Sequence, residues 1–253
     1  MSKAKGLAWV IAAGAVAAGA ALGLPWAARH VPWRVERWLG AVAGSPVTSS
    51  ACAGHSRPGS VEALRKLVAR IYPLDAEDRE LPVTVDVVPG KTVNAFATLG
   101  GHIYVFDGLL QQARSPDELA GVLAHEIGHV RSRHVIQGVI VNLFTWSAIT
   151  AAMPGGQRSG SEIAYLLLTL KFSREQEYEA DEAGLQRLRK ARVDTTGLER
   201  FFARLDTLPA PPQILSNHPA SGARAELAAR YSGYPVEPIL AADEWDRLVH
   251  ICP

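Results

Sequence analysis

The chain has 253 residues, 48% of them hydrophobic, and its 26 Lys and Arg against 25 Asp and Glu leave a formal net charge of +1. That length suits one globular domain plus an appendage. The near-neutral balance, without a basic stripe carrying interleaved aromatics, argues against nucleic acid as a partner.

The appendage comes first in the chain. From Gly6 to Ala28 there is no charged residue, and Lys3 and Lys5 stand in front of the run. Its length matches the roughly 20 residues that cross a hydrocarbon core as a helix. A retained membrane anchor over 1–28 is one reading, and a cleaved signal peptide with Ala15 and Ala17 near the processing site is the other. The anchor is favoured because the run is longer than an h-region of about 7 to 15 residues. Arg29, Arg34 and Arg37 balance the two lysines across the span, so charge does not orient it. Residues 29–60, rich in Pro, Gly, Ser and Ala, read as a linker. Trp26, Trp33 and Trp38 near the membrane exit have the amphipathic rings that favour an interface. Cys52 and Cys252 stand at the two ends of the remaining chain, which is consistent with a disulfide in an oxidising compartment or with two free thiols elsewhere.

Over Val61–Ile71 the apolar residues recur at helical spacing, which predicts the first helix of a domain running from 61 to 253. Val83–Val88 alternates as a strand does, Pro89-Gly90 turns, and Val93–Leu99 is a second strand. Gly100-Gly101 turns again into His102–Phe106. Three short strands with tight turns predict a small antiparallel or mixed sheet. Everything after Ser115 reads as helix or loop, so the fold class is α+β and mostly helical.

Ser115-Pro116-Asp117-Glu118 carries a helix start: an N-cap serine, a proline at the first helical position and a glutamate three residues after the cap. The helix it opens holds His125-Glu126-Ile127-Gly128-His129. Histidines at i and i+4 project from one face, so both imidazoles can reach one tetrahedral metal. Glu126 lies about 100° round the helix, placed to take a proton from a water whose pKa zinc lowers to roughly 7. This helix-borne pattern is a signature of zinc proteases.

A third ligand is expected from a second capped helix, which Ser173-Arg174-Glu175-Gln176 opens. Glu177 and Asp181 come next at i and i+4, while Ala180 and Gly184 share nearly the same face. Small residues there, with Gly121 and Gly128 on the histidine helix, allow the two helices to approach closely. A carboxylate from this helix completes a His, His, Glu site with one open position. Asp181 is then suited to accept the free ring N–H of a ligating histidine.

Taken together, Asn94-Ala95-Phe96-Ala97, Gly100-Gly101, Ser115-Pro116-Asp117-Glu118-Leu119-Ala120, the His125–His129 motif, Phe172-Ser173-Arg174, Glu177-Tyr178-Glu179-Ala180-Asp181 and His218-Pro219 resemble the zinc metallopeptidases that include the HtpX-type membrane proteases, the periplasmic protease-chaperone BepA and the CAAX prenyl endopeptidases. The resemblance covers about residues 60–230. It implies a gluzincin-like fold with zinc as cofactor, and Glu177 rather than Glu175 or Glu179 as third ligand. It also implies that Asn94, Ala95, Phe96 and Ala97 form an edge strand that binds the substrate backbone. His218 and Arg224 match a pair near the metal that could stabilise an oxyanion, and His218 could instead cap the zinc in a latent state.

The remaining histidines, His30, His55, His102, His134 and His250, read as structural or surface residues, and His134 is expected to point away from the metal face. An uncharged stretch from Val135 to Pro154 and a shorter one from Ile163 to Leu170 read either as a helical hairpin that partly covers the site and touches the bilayer or as a pair of ordinary core helices. A single membrane crossing would separate Glu177 from the histidines, so only zero or two crossings are allowed, and the second stretch is too short for a span. The expected function is a membrane-anchored zinc endopeptidase, its catalytic domain periplasmic or extracytoplasmic, acting on protein or peptide substrates in protein quality control. The alternative is a catalytically silent, chaperone-like binding protein on the same fold.

Overall fold

The computed structural model describes residues 23–48, 51–56, 58–73, 81–152, 166, 169–210, 212–218 and 224–253. Helix α1 (Trp33–Thr48) precedes helix α2 (Ser60–Ile71). Strands β1 (Thr84–Val88), β2 (Ala95–Ala97) and β3 (His102–Phe106) come after them. Next are α3 (Asp107–Gln112), α4 (Pro116–Arg131), α5 (His134–Ala152) and α6 (Arg174–Lys190). The chain closes with α7 (Gly197–Asp206), α8 (Gln213–Asn217), α9 (Arg224–Tyr231) and α10 (Ala242–Val249). The architecture is α+β and mostly helical, as the sequence predicts.

The three strands form one mixed sheet in the order β1-β3-β2, with β1 parallel and β2 antiparallel to the central β3. β2 is therefore an edge. Asn94 O accepts the Phe106 N–H and Thr98 N–H donates to His102 O. By strand alternation the amides of Ala95 and Ala97 then face away from β3, toward α4. The turn between β2 and β3 requires glycine, since Gly100 and Gly101 have φ of 80° and 83°.

Helix α4 runs through the centre of the domain, and every residue from Glu118 to Val130 is buried. Its cap forms as expected at Ser115, whose Oγ accepts the Glu118 N–H. The Glu118 carboxylate turns elsewhere, accepting the Arg114 N–H at 2.9 Å and the Arg204 guanidinium of α7 at 2.6 Å. Helix α6 has the full reciprocal box between Ser173 and Gln176. These two helices lie against each other through small residues. A Cβ at Gly128 would stand 2.6 Å from Ala180 O, and one at Gly184 3.0 Å from the Ala124 carbonyl carbon. Both are closer than van der Waals contact permits, so these glycines set the helix spacing that brings one side-chain set to the other.

One region differs from the sequence reading. Within 29–60, read as a linker, α1 is a helix whose Glu36 is buried and paired to Arg133 at 2.8 Å. Gly40 of the same helix lies against the carbonyl of Leu99. Composition misses this helix because tertiary contacts hold it. Beyond it, Cys52 and Cys252 are joined by a disulfide, which fastens the start of the domain to its end beside the contact between α2 and α10. Residues 1–22, which carry most of the expected anchor, lie outside the described residues, and among those described no helix is long and apolar enough to cross a membrane. Helix α5 supplies the first arm of the expected hairpin, with Leu143 and Phe144 exposed. The tip and most of the second arm also fall outside the described residues.

Candidate metal centre

His125 and His129 project from α4 toward Glu177 of α6, and all three side chains are fully buried. His125 Nε2 and His129 Nε2 stand 3.1 Å apart. The Glu177 oxygens lie 3.4 Å from His129 Nε2 and 3.5 Å from His125 Nε2. A tetrahedral zinc with bonds of about 2.0–2.1 Å needs ligand atoms about 3.3–3.4 Å apart, so this donor set fits the metal that the sequence implies. His218 joins them, and one atom from each of the four residues lies within 4.8 Å of the others. The other acidic candidates on α6 do not: Glu175 and Glu179 are exposed, while Glu177 and Asp181 are buried.

Each ligand candidate is held from behind. Asp181 Oδ1 lies 2.7 Å from His125 Nδ1 and accepts its N–H, which leaves Nε2 as the lone-pair nitrogen. Arg224, at the start of α9, donates from Nε to Asp181 Oδ2 at 2.7 Å and reaches Glu177 Oε2 from Nη2 at 3.5 Å. The Phe172 ring stacks on His129, with centroids 3.9 Å apart and planes 23° from parallel. Burial alone would raise the Glu177 carboxyl, but hydrogen bonds from His129 and His218 and the charges of His125 and His218 hold it well below the usual carboxylate range. Burial likewise opposes ionisation of Asp181, and His125 and Arg224 overcome it.

Glu126 lies on the other side, toward the sheet. The Ala97 N–H donates to its Oε2 at 2.9 Å, and His218 Nε2 is 3.3 Å from its Oε1. Burial raises its carboxyl above the ordinary range, with His218 and His125 opposing. A carboxyl so raised takes a proton and gives it back near neutral pH more readily than an exposed one. In turn, burial would lower the His218 imidazole, yet Glu126 and Glu177 beside it raise it. The edge-strand residues divide between the faces of the sheet. Ala95 and Ala97 turn their amides to the site, whereas Phe96 packs with Val88 and Tyr104 on the far face. Asn94, fully buried, has no hydrogen-bond partner for its side chain.

His134 corrects the sequence reading. Its Nδ1 is 3.0 Å from His129 Nδ1, and its Nε2 is 3.2 Å from Glu179 Oε2. The helical spacing that would aim it away does not apply, because α4 ends at Arg131 and Arg133 adopts a left-handed φ of 65° before α5 begins at His134. When His129 presents Nε2 to a metal, its Nδ1 carries the proton and His134 Nδ1 accepts it, with the His134 Nε2–H directed at Glu179. His134→Ala is therefore expected to weaken metal affinity about 10- to 100-fold in a chelator competition assay, and His134→Asn, which keeps an acceptor, to recover part of that loss. Equal affinity in wild type and His134→Ala would refute the relay. Phe172 is likewise legible in the sequence only as part of a motif, since ring stacking leaves no spacing signal.

Known proteins place this geometry in context. Residues 60–231 match the profile of peptidase family M48. Metalloprotease LoiP of Escherichia coli is 33% identical over 178 residues, which is 67% of this chain and 70% of that protein. Mitochondrial metalloendopeptidase OMA1 of Arabidopsis thaliana is 38% identical over 152 residues, 57% of this chain and 30% of its own length. The beta-barrel assembly-enhancing protease of Yersinia pestis is 29% identical over 171 residues, 59% and 34%. The chain thus spans about a third of the length of the last two. With the matched segment containing both helices of the metal centre, the chain belongs to peptidase family M48.

Proposed function

We propose that the protein is a zinc-dependent endopeptidase. The observation that carries the reading is the convergence of His125, His129 and Glu177 donor atoms at tetrahedral spacing beside a buried Glu126 that is tied to an edge strand. Zinc is the metal proposed because two imidazoles and one carboxylate are a known hydrolytic donor set, and when bound it acidifies a coordinated water and polarises a carbonyl. Glu126 takes the proton of the attacking water and passes it to the leaving amine. The substrate chain lies along β2 as an added strand, held by the Ala95 amide and the Ala95 and Ala97 carbonyls while the Ala97 N–H stays on Glu126, with Asn94 and Phe96 securing that strand to the sheet. Arg224 and Asp181 fix the ligand side chains. His218, 3.3 Å from Glu126, is the group suited to an oxyanion.

A second role for His218 is favoured by its distances of 3.1 Å to His125 Nε2 and 3.0 Å to Glu177 Oε1. Four protein donors make a closed site, and hydrolysis needs an open position. The arrangement is read as a resting state that His218 leaves when substrate enters. The names of the relatives, among them a beta-barrel assembly-enhancing protease and a mitochondrial metalloendopeptidase, support proteolysis; the wider setting we infer is protein quality control, with misfolded or membrane-associated proteins as substrates and the catalytic domain on the periplasmic or an equivalent outer side. The N-terminal run of 1–28 serves as the anchor. Casein hydrolysis by the purified chain tests the reading: activity is expected, lost with 1,10-phenanthroline and restored by added zinc. Activity indifferent to the chelator would end it. In the same assay, a faster His218→Ala variant marks a latch and a slower one marks oxyanion stabilisation.

A further inference from the structure

Helix α1 is inverted relative to an ordinary surface helix. Its one acidic residue, Glu36, is buried, while Val35, Trp38 and Val42 are 44%, 65% and 65% exposed. Their spacing of three and four residues puts them on one outward face. Trp26, in the helical segment just before, is 67% exposed. An apolar outward stripe of this kind is unfavourable in water, and tryptophan is the residue that gains most at a membrane interface.

Beside the stripe lies a cavity of about 610 Å³ lined by Arg29, Arg34, Arg37, Arg133 and Trp33. Arg133 is only 7% exposed, its guanidinium lies 3.6 Å over the Trp33 ring, and it pairs with Glu36, yet its Nε has no partner. Arg29 reaches a carboxylate only at 3.9 Å, on Glu179. Arg34 and Arg37 have no ionic partner among the described residues. Four guanidinium groups thus face two carboxylates, which leaves an excess of positive charge around a space large enough for a headgroup. Guanidinium forks match phosphate oxygens bidentately, and a buried arginine with an unused N–H loses free energy until such an acceptor arrives.

We propose that this cavity binds the phosphate of an anionic phospholipid headgroup, with α1 lying at the bilayer interface and its Val35, Trp38 and Val42 face in the acyl boundary. The charge of the cavity selects an anion, and the apolar stripe next to it selects a lipid over a soluble phosphate. The inference rests on the proposed membrane setting of the chain, but it needs neither metal nor turnover. Loss of catalysis and loss of lipid binding are therefore separately observable.

The test is a titration of the full chain in neutral detergent with short-chain dihexanoyl phosphatidylglycerol, read by tryptophan fluorescence. Saturable binding is expected, weakened at least tenfold in Arg34→Glu/Arg37→Glu and unchanged in Arg65→Glu, a charge reversal on α2 outside the cavity. Among the described residues neither the Arg34 nor the Arg37 side chain pairs with another group, so the double variant is expected to keep the wild-type melting temperature without lipid. Equal binding by the double variant would overturn the proposal. Equally tight binding of dihexanoyl phosphatidylcholine would show that no anion is read. Inorganic phosphate or a glutamate-rich peptide binding as tightly as the lipid would replace it with a soluble-anion or a protein site.

Discussion

Glu126→Gln is expected to slow casein hydrolysis by about 10²- to 10⁴-fold, the range of a lost general acid–base group, with metal content unchanged. Glutamine has the same shape, and its amide oxygen can still accept the Ala97 N–H that now reaches Glu126 Oε2 at 2.9 Å. What it cannot do is take a proton. It also removes the negative charge 3.3 Å from His218, so the His218 imidazole should lose part of its upward shift. The proposed ligand atoms of His125, His129 and Glu177 are untouched, which separates loss of the base from loss of the metal. Equal, measurable rates in the two proteins would remove Glu126 as the base, and hydrolysis by neither would favour the silent, chaperone-like alternative.

Breaking the disulfide is expected to cost about 3 to 5 kcal/mol of stability. Cys52 and Cys252 are 200 residues apart, and closing so long a loop removes much of the entropy of the unfolded chain. The bond also lies where α2 and α10 meet. Ser60 Oγ donates there to Arg247 O at 2.8 Å, and Lys66 pairs with Glu244 at 2.7 Å. Those contacts are surface or half-buried, so they cannot hold the chain end alone. Urea unfolding of Cys52→Ser/Cys252→Ser against wild type measures the difference. A loss below about 1 kcal/mol would mean that the end of the chain is secured by packing instead.

The parts of this molecule that are legible in its sequence are those written in local code. Ser115 and Ser173 announce two helices because capping is a short-range hydrogen-bond pattern. The i, i+4 spacing of His125 with His129 and of Glu177 with Asp181 then orients four side chains. Gly128 and Gly184 signal the close approach of the helices, and a hypothetical Cβ on them has clearances of only 2.6 Å and 3.0 Å. The choice of Glu177 over Glu175 and Glu179 needs the family resemblance, and burial agrees with it.

The features hidden from the sequence depend on contacts distant along the chain or on a single backbone angle. Helix α1 is held by Arg133 and the Leu99 carbonyl, far along the chain from Glu36 and Gly40. The insertion of β3 between β1 and β2 is a matter of topology. His134 reaches His129 only because Arg133 takes a left-handed conformation, and a spacing argument assumes an unbroken helix.

If His125, His129 and Glu177 together hold one metal ion, removing any one of them should empty the site. Metal analysis of the wild type and of His129→Ala and Glu177→Ala, purified without chelators and checked for folding by circular dichroism, tests this most directly. About one equivalent of zinc is expected in the wild type and less than a tenth of that in either variant, since each removes one of the three ligands that the open, hydrolytic site keeps. Folded variants that retain a full equivalent, or a wild type that binds none, would contradict the proposed ligand set.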